Sequence, residues 1–403
     1  MSSSSKRIYF VDFARSFAIM LALTDHGMND FHIWENYSMQ TFTALKVLTT
    51  SATPTFILLF GMMLEIIYLG KLRKSGMRKT AAGLVNRSFQ CYVGYFLTTV
   101  AGVIGGFKVL KGAFAEVIFL GNNHFGNILK IYTILLLVAI PLVWFRNKYG
   151  MKWTVVLGFA PWLLYPILQS LSPIDGNIGI FTSSMFGTGG QGGPSIMLSL
   201  SVVTTGMLVA SFISFERKYD FQKKTLAVIC AFGLAVIAIF FIVPAQPLHH
   251  EYTTNGYRDD NNVIYYIFST TLGLTVALIS SFIIPIGSSI SKPIHTFLAF
   301  GRSSLTAFTV GNIFLNLTAL TVLVRYSWNE LAVAAFVAGV FLILLFYERV
   351  YPTLAVVKSA QHFFRGLTVR YHWFYVRRMS NLFATVLDDR GRKPQGRPSK
   401  HSA

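Results

Sequence analysis

The sequence has 403 residues, of which 53% are hydrophobic and 13% are charged, and its formal net charge is +19. Soluble domains carry about 25% charged residues, so this composition excludes an ordinary soluble fold. A net charge of this size would suggest nucleic-acid binding in a soluble protein, but here Lys and Arg lie in short segments between long apolar runs. The sequence therefore predicts an all-α, polytopic membrane protein, because a helix needs about 20 apolar residues to cross a bilayer.

The apolar runs predict about ten transmembrane helices. The first five lie near 8–28, 43–69, 84–107, 127–145 and 153–170, and the others near 195–215, 224–243, 262–288, 298–323 and 329–351. The first run follows Lys6 and Arg7 and has no small-residue cleavage site, so we expect a retained span rather than a cleaved signal. Cys91 and Cys230 both lie within predicted spans, which argues against a disulfide framework or a thiolate metal site.

The placement of Lys and Arg predicts that both termini are cytoplasmic, since cytoplasmic loops carry these residues in excess. With an even number of spans, most of the 35 Lys and Arg fall on one side, in the N-terminus, the loops after the even-numbered spans and the C-terminal tail. The opposite side carries few of them, namely Lys46, Lys108, Lys111, Lys130, Arg258 and Arg325. Its loops 172–194 and 244–262 are long enough to cover a mouth or to contact a polar ligand, although both could be solvated loops without a role.

The chain divides into a transmembrane domain (1–357), a basic aromatic segment (358–387) and a tail (388–403). In the basic aromatic segment, Phe, Tyr and Trp alternate with Arg, which is typical of a helix that lies on an anionic membrane leaflet. Nucleic-acid binding is the weaker alternative for this segment, and we expect no nucleic-acid partner. The tail is polar and contains Pro and Gly, which predicts disorder.

The first span contains four ionisable residues, Asp12, Arg15, Asp25 and His26, and charge inside a span is costly enough to suggest function. Arg15 and His26 are eleven positions apart, so on a helix they differ by about 20° in direction and by about 16 Å along the axis. Asp12 falls within about 40° of the same line, whereas Asp25 points about 100° away from His26 and is less well placed to orient its ring.

This arrangement has a functional and a structural interpretation. A neutral histidine can take a proton from a hydroxyl group, and an arginine offers a permanently charged fork for a phosphate or a carboxylate. The alternative is an Asp12–Arg15 ion pair near the cytoplasmic interface, with His26 solvated at the other end of the helix.

The segment from Arg7 to His26 resembles the opening helix of the membrane acyltransferase-3 superfamily. That helix begins with a basic residue, continues with Leu-Asp-x-x-Arg-Gly, and ends an apolar run with histidine at an Arg-x10-His spacing. Segments 54–61, 127–132 and 301–305 are similar to the branch of periplasmic-glucan succinyltransferases and their relatives. Two positions depart from the family pattern: Ser16 replaces a glycine, and Phe60 replaces a serine that many members have.

The resemblance implies a multi-pass protein of the bacterial inner (plasma) membrane, surrounded by lipid. Members take an acyl group from a cytoplasmic thioester donor and deliver it to a hydroxyl, or sometimes an amine, of an extracytoplasmic glycan. The implied co-substrate is an acyl-CoA (acetyl-CoA or succinyl-CoA), with no bound cofactor and no metal. On the matching positions, His26 would be the catalytic base and Arg15 would bind the acyl donor. Apart from the resemblance, Asp12 and Asp25 on the same helix are possible supporting residues, and so are Asn123 and His124, which lie just before the fourth predicted span and could bind a sugar. The acyl group, the glycan acceptor and the oligomeric state stay open.

A secondary transporter or a flippase for a lipid-linked sugar is the alternative, since it would explain the span count and the buried charges equally well. Transporter folds often contain inverted repeats, and the second half of the sequence has no counterpart of the charged first helix. This difference favours the enzyme.

Three further features point to no additional chemistry. Glu65 and Glu116 are single carboxylates that we expect to be structural or interfacial. The adjacent histidines of His249-His250-Glu251 do not share a helix face and have no accompanying thiolates, which argues against a metal site. No Gly-x4-Gly-Lys-Ser/Thr loop supports an ATP-driven mechanism.

Overall fold

The computed structural model describes residues 8–31, 33–36, 39–122, 125–171, 176–188, 192–219, 222–242, 255–284, 291–318, 330–350 and 374–387. Within these residues the chain is helical and contains no β-strand, which confirms the all-α prediction for the described part of the protein.

The described chain begins with six α-helices. They are α1 (Tyr9–Asp30), α2 (Met39–Thr50), α3 (Ala52–Met63), α4 (Leu69–Ile104), α5 (Leu110–Val117) and α6 (Asn127–Phe159). A 3-10 turn (Ile33–Asn36) follows α1, and a π-helical turn (Leu64–Tyr68) joins α3 to α4.

The second half begins with α7 (Pro161–Ser170), α8 (Gly176–Phe186), α9 (Ile196–Tyr219), α10 (Gln222–Ile242) and α11 (Gly256–Asp259). It continues with α12 (Val263–Ile283), α13 (Lys292–Phe297), α14 (Ala299–Arg302), α15 (Ser304–Thr318) and α16 (Glu330–Val350). A last helix, α17, covers 374–387.

Five helical stretches of the described chain are long and apolar enough to cross a membrane: Leu45–Ile104, Asn127–Ser170, Ile196–Ile213, Val263–Ile283 and Glu330–Tyr347. The first two contain 60 and 44 residues, and one crossing needs only about 20. Both are interrupted within predicted basic segments, at Gly76 (φ +78°) and Gly150 (φ +84°). Each of these two stretches is therefore long enough for two membrane crossings. The count of about ten transmembrane helices and the cytoplasmic location of both termini remain predictions.

Two segments differ from the sequence-based expectation. The basic segment after the second predicted span is helical on both sides of Gly76 rather than an open loop, because the π-helical turn leads directly into α4. The predicted loop 172–194 contains α8, whose Ser183 and Ser184 are buried. Glycine and serine in that segment are typical of loops in water, but a glycine-containing helix is common in a membrane.

Helix α1 packs against α2, α3, α12, α14, α15 and α16. Helices α3 and α9 approach each other closely through two glycines. A Cβ atom at Gly61 would lie 2.0 Å from the carbonyl oxygen of Val203, and one at Gly206 would lie 2.1 Å from that of Leu58. Small residues allow this backbone contact, which drives helix association in membranes, and the contact holds α3 against α9.

Ser16, the first departure from the family pattern, joins α1 to the segment around α14. Its hydroxyl donates to the carbonyl oxygen of Phe297 (3.0 Å) and accepts from the N–H of Gly301 (2.8 Å). A Cβ atom at Gly301 would lie 1.8 Å from the carbonyl oxygen of Asp12. The glycine that permits close packing here therefore lies on α14, and the serine of α1 supplies two hydrogen bonds instead.

Helix α17 is the part of the predicted basic aromatic segment that the structure describes. Val376, Met379, Phe383 and Leu387 pack against the main core, and the ring of Tyr375 lies 6.0 Å from that of Phe89 on α4. A second set of apolar side chains stays exposed, namely Phe374, Leu382 and Val386. The helix thus docks on the helical body by one face, while residues 358–373 and the tail lie outside the described residues.

Candidate active site

His26 is held by a hydrogen-bond chain that begins on a distant helix. Its Nδ1 lies 2.8 Å from Oδ1 of Asn312 on α15, and the amide nitrogen of Asn312 donates to the carbonyl oxygen of Phe125 (3.0 Å). Because that N–H group needs an acceptor, the amide oxygen is the atom that faces the ring. The oxygen accepts from Nδ1, so the proton resides on Nδ1 and the basic lone pair on Nε2, which is the tautomer that a general base needs.

The His26 ring lies at the wall of a small cavity of about 60 Å³. Phe125 and Phe308 flank the ring at centroid distances of 4.9 and 5.6 Å. The cavity is lined by Ala22, His26, Thr53, Phe56, Phe125, Asn127, Ile128, Ile131, Gly193, Pro194, Arg258 and Phe308. The two long loops predicted on the opposite side thus both contribute to its wall, through Gly193, Pro194 and Arg258.

Arg15 lines a second, larger cavity of about 440 Å³. The polar residues that line this cavity include Asn86, Arg87 and Gln90 from α4. Arg87 and Gln90 are exposed, and Arg87 donates a hydrogen bond to the Gln90 side chain (2.9 Å). Asp12 is buried and lies within electrostatic range of the Arg15 guanidinium. The full lining is Arg15, Phe56, Phe60, Met63, Tyr68, Gly83, Asn86, Arg87, Gln90, Cys91, Ile128, Leu129, Tyr132, Leu136, Ser304, Leu305 and Phe308.

The two cavities adjoin. Phe56, Ile128 and Phe308 line both of them. These three side chains form an apolar partition that separates the Arg15 cavity from the His26 cavity. The hydroxyl of Tyr132 donates to the carbonyl oxygen of Phe56, which fixes one side of the partition. Arg15 and His26, which the sequence predicts on the same side of α1, therefore line two neighbouring cavities.

Phe60, the second departure from the family pattern, is a wall residue of the Arg15 cavity. Its ring lies 5.5 Å from that of Tyr132, and its side chain is buried. The position therefore contributes apolar surface here rather than a hydroxyl group.

Asp25, a possible supporting residue, belongs to the contact between α1 and α2. Its carboxylate accepts from Nζ of Lys46 (2.8 Å), the hydroxyl of Thr49 (2.9 Å) and the amide of Asn29 (3.2 Å). The buried Lys46 ammonium also lies 5.3 Å from the ring of Trp34. These contacts match the expectation that Asp25 points away from the His26 ring.

Asn123 and His124, the other possible supporting residues, lie outside the described residues. The chain immediately before them is held by two lysines. Nζ of Lys130 donates to Gly121 O, Asn122 Oδ1 and Ser184 Oγ at 3.2, 2.9 and 3.2 Å, and Nζ of Lys108 donates to Asn122 O (2.7 Å). These hydrogen bonds therefore anchor Gly121 and Asn122.

The carboxylates expected to be structural both form ion pairs. Glu65 accepts from Nε and Nη2 of Arg146 at 3.0 and 2.6 Å, a two-pronged geometry that is strong for this type of pair. Glu116 pairs with Lys108. His249, His250 and Glu251 lie outside the described residues, and within the described ones no group of three or more His, Cys, Asp or Glu could hold a metal ion.

Sequence reasoning missed Arg87 and Arg258, which each line a cavity, and Asn312, which contacts the His26 ring. Asn312 is fully buried in a predicted span, and a neutral amide inside an apolar run was the available signal. Arg87 was assigned to a basic loop, and Arg258 to a polar loop. The sequence does not show which helices pack against Arg87 or Arg258, so it could not predict that either residue lines a cavity.

The geometry thus gives two adjoining cavities, one lined by His26 and Arg258 and the other by Arg15 and Arg87. A family model described as "OpgC protein" matches residues 7–115. The match covers less than half of the chain; it includes Asp12, Arg15, Asp25 and His26 but neither Asn312 nor Arg258. It supports the acyltransferase branch of the resemblance and suggests an acyltransferase acting on glucans. Comparisons with curated proteins and with solved structures give no match.

The Asp25–Lys46 pair yields a stability prediction. Asp25→Ala should lower the free energy of unfolding by about 3–5 kcal/mol, because it leaves a buried ammonium without its carboxylate. The double variant Asp25→Ala/Lys46→Met should recover most of that loss. Unfolding of the detergent-purified proteins measures both, and equal losses in the single and double variants would contradict a role for the ion pair.

Proposed function

We propose that this protein is an integral membrane acyltransferase. It moves an acetyl or succinyl group from a cytoplasmic acyl-CoA-type donor to a hydroxyl group of an extracytoplasmic glycan, as a multi-pass protein of the bacterial inner membrane with both termini in the cytoplasm. The observation that carries the proposal is the adjacency of the Arg15 cavity and the His26 cavity across a partition of three apolar side chains.

The Arg15 cavity suits a donor that carries phosphate groups and a long, narrow arm. Arg15 and Arg87 are permanently charged forks that bind phosphate or carboxylate. The exposure of Arg87 and Gln90 indicates the end at which a water-soluble donor enters, and the predicted topology makes this the cytoplasmic end. The apolar partition lies toward the His26 cavity, so an arm that parts these side chains would bring its acyl group to the base.

The His26 cavity suits the acceptor hydroxyl. Nε2 of His26 takes the hydroxyl proton while the hydroxyl oxygen forms a bond to the acyl carbonyl carbon. The tetrahedral intermediate then breaks its carbon–sulfur bond, and the leaving thiolate takes the proton from the imidazolium. The net reaction exchanges a thioester for an ester and leaves the protein unchanged.

Asn312 positions the base for this reaction. Its amide oxygen keeps the proton on Nδ1 of His26, and its own N–H group is fixed by the Phe125 carbonyl. In serine proteases an aspartate has the same role toward the catalytic histidine, and loss of the correct tautomer there lowers kcat about 10⁴-fold.

The transporter or flippase is the second candidate, and the pair of cavities is also the observation that favours it. Two cavities on either side of a thin partition resemble the two access routes of an alternating-access protein. The two functions differ in what happens to the glycan: the enzyme changes its mass, whereas the transporter changes its location.

Replacement of His26 separates these functions. Envelope glycans from cells with wild-type protein should carry an acetyl or succinyl mass increment that is lost with His26→Ala, because Nε2 is the base. His295→Ala is the matched control, since His295 is exposed and belongs to neither cavity, and it should preserve the increment. Mass spectrometry of the glycans decides the question. Unchanged masses with altered glycan amount or location would replace the enzyme by the transporter.

Replacement of Arg15 tests the donor site. Arg15→Ala should raise the KM for the acyl-CoA at least about tenfold, because a hydrogen bond to a charged group contributes about 1.5–3 kcal/mol. At saturating donor the rate should approach that of the wild type, with acceptor preference unchanged. Arg73→Ala, which removes an exposed arginine outside the cavity, is the control. A rate loss of the same size at every donor concentration would contradict the assignment.

Replacement of Asn312 tests the positioning of the base. Asn312→Leu should lower kcat at least about 100-fold with little change in the donor KM, because the His26 tautomer is no longer fixed. Asn312→Asp keeps an oxygen acceptor for Nδ1 and should retain more activity than Asn312→Leu. Steady-state kinetics measure both variants. Equal losses, or losses in the donor KM alone, would show that Asn312 does not act through the imidazole.

A further inference from the structure

Arg258 brings a permanent positive charge to the wall of the His26 cavity. Of the lining residues that the structure describes, Arg258 and His26 are the ionisable ones, and Thr53 and Asn127 supply neutral polar groups. A guanidinium beside a base is not needed for packing, since the rest of the wall is largely aromatic and aliphatic. Its presence indicates that negative charge is expected in this small volume.

The backbone that carries Arg258 is fixed from two directions. A Cβ atom at Gly193 would lie 1.8 Å from the carbonyl oxygen of Arg258, so glycine is required for this contact. The same carbonyl accepts from the N–H of Asn261 (3.1 Å). The side-chain oxygen of Asn261, a fully buried residue, accepts in turn from the N–H of Ser195 (2.7 Å) and the hydroxyl of Tyr266 (2.9 Å). Arg258 therefore projects from a rigid segment, as a preorganised group should.

The guanidinium of Arg258 stays charged, and its ion pair within the described part of the chain involves Nε rather than the terminal nitrogens. Burial disfavours the charged form, but Asp259, Tyr265 and Asp25 together more than offset this, and the pKa of Arg258 is raised above its ordinary value. The contact with Asp259 uses Nε, at 3.2 Å, and not the terminal fork. Among the described residues no other ion pair to Arg258 is present.

The amino end of α6 reinforces this positive potential. Asn127, which begins this helix, and Ile128 both line the His26 cavity. The first turn of a helix carries a partial positive charge that favours nearby anions. Two independent elements, α6 and α11, thus direct positive charge at the space beside the imidazole.

We propose that Arg258 is a catalytic residue that stabilises the oxyanion of the tetrahedral intermediate. The inference rests on the proposed function. When the acceptor hydroxyl attacks the thioester carbon and gives its proton to His26, the carbonyl electron pair moves onto the oxygen, and this negative charge forms beside the guanidinium. Collapse of the intermediate restores the carbonyl and releases the thiolate, so the charge exists only between the two steps and Arg258 binds it more strongly than the neutral thioester.

Kinetics with two donors test this role. Purified protein is assayed with acetyl-CoA and with succinyl-CoA, each with a linear glucan oligosaccharide as acceptor, by thiol release and by product mass. Arg258→Gln should lower kcat by about 10²–10³-fold to the same extent with both donors, with the two KM values little changed. Arg258→Lys keeps a charge and should lose less. Lys111→Gln, which removes an exposed cation predicted on the same side, should leave kcat unchanged.

A loss of activity that is confined to one donor or to one KM value would overturn the proposal. A loss confined to succinyl-CoA would show that the guanidinium binds the free carboxylate of the acyl group, and a loss confined to the acceptor KM would make it a glycan contact. If Arg258→Gln does not fold, the double variant Arg258→Gln/Asp259→Asn, which leaves no unpaired charge, takes its place. Suppose that the wild type is active, that His26→Ala is inactive, and that Arg258→Gln/Asp259→Asn keeps the wild-type kcat. In that case the proposed role of Arg258 fails and the proposed function stands. If the wild type transfers no acyl group, the proposed function itself fails.

Discussion

A charge inside a membrane must be paired or must face a polar space, and this constraint organises the protein. Asp25 pairs with Lys46, Glu65 with Arg146, and Glu116 with Lys108. Each pair joins two segments of chain, so these charges are accounted for by packing. Arg15, His26 and Arg258 are different, because each of them lines a cavity. The constraint thus separates ionisable groups that hold segments of the chain together from ionisable groups that have room for a ligand.

Helix α1 carries two of these three cavity-lining residues, Arg15 and His26. Its contacts with six other helices hold its axis, and the Ser16–Gly301 contact brings α14 against its backbone. An eleven-residue spacing on a straight helix is close to three full turns, so Arg15 and His26 share one side and are separated by about 16 Å. That separation places a cation and a base at the two ends of a path through the protein, with the apolar partition between them.

The sequence was sufficient for properties that depend on local spacing or on composition. The all-α class follows from long apolar runs, and the shared side of Arg15 and His26 follows from the helix repeat, as does the divergence of Asp25. Partners that come from distant parts of the chain were not predictable. Asn312 lies 286 residues from His26, and an asparagine in an apolar run does not indicate which ring it contacts. Lys46 and Arg146 were read only as topology markers, because an ion pair depends on how helices pack.

The tautomer of His26 bears on the choice between enzyme and transporter. A transporter site binds and releases its cargo from each side in turn, and it gains nothing from an imidazole whose proton is fixed on one nitrogen by a buried amide. A general base needs this arrangement, because the lone pair must face the hydroxyl that it deprotonates. The hydrogen-bond chain from Phe125 through Asn312 to His26 joins the segment before α6 to α15 and α1, and it orients one ring. Catalysis explains why the Asn312 amide and the Phe125 carbonyl are used to orient this ring, whereas the passage of a cargo does not.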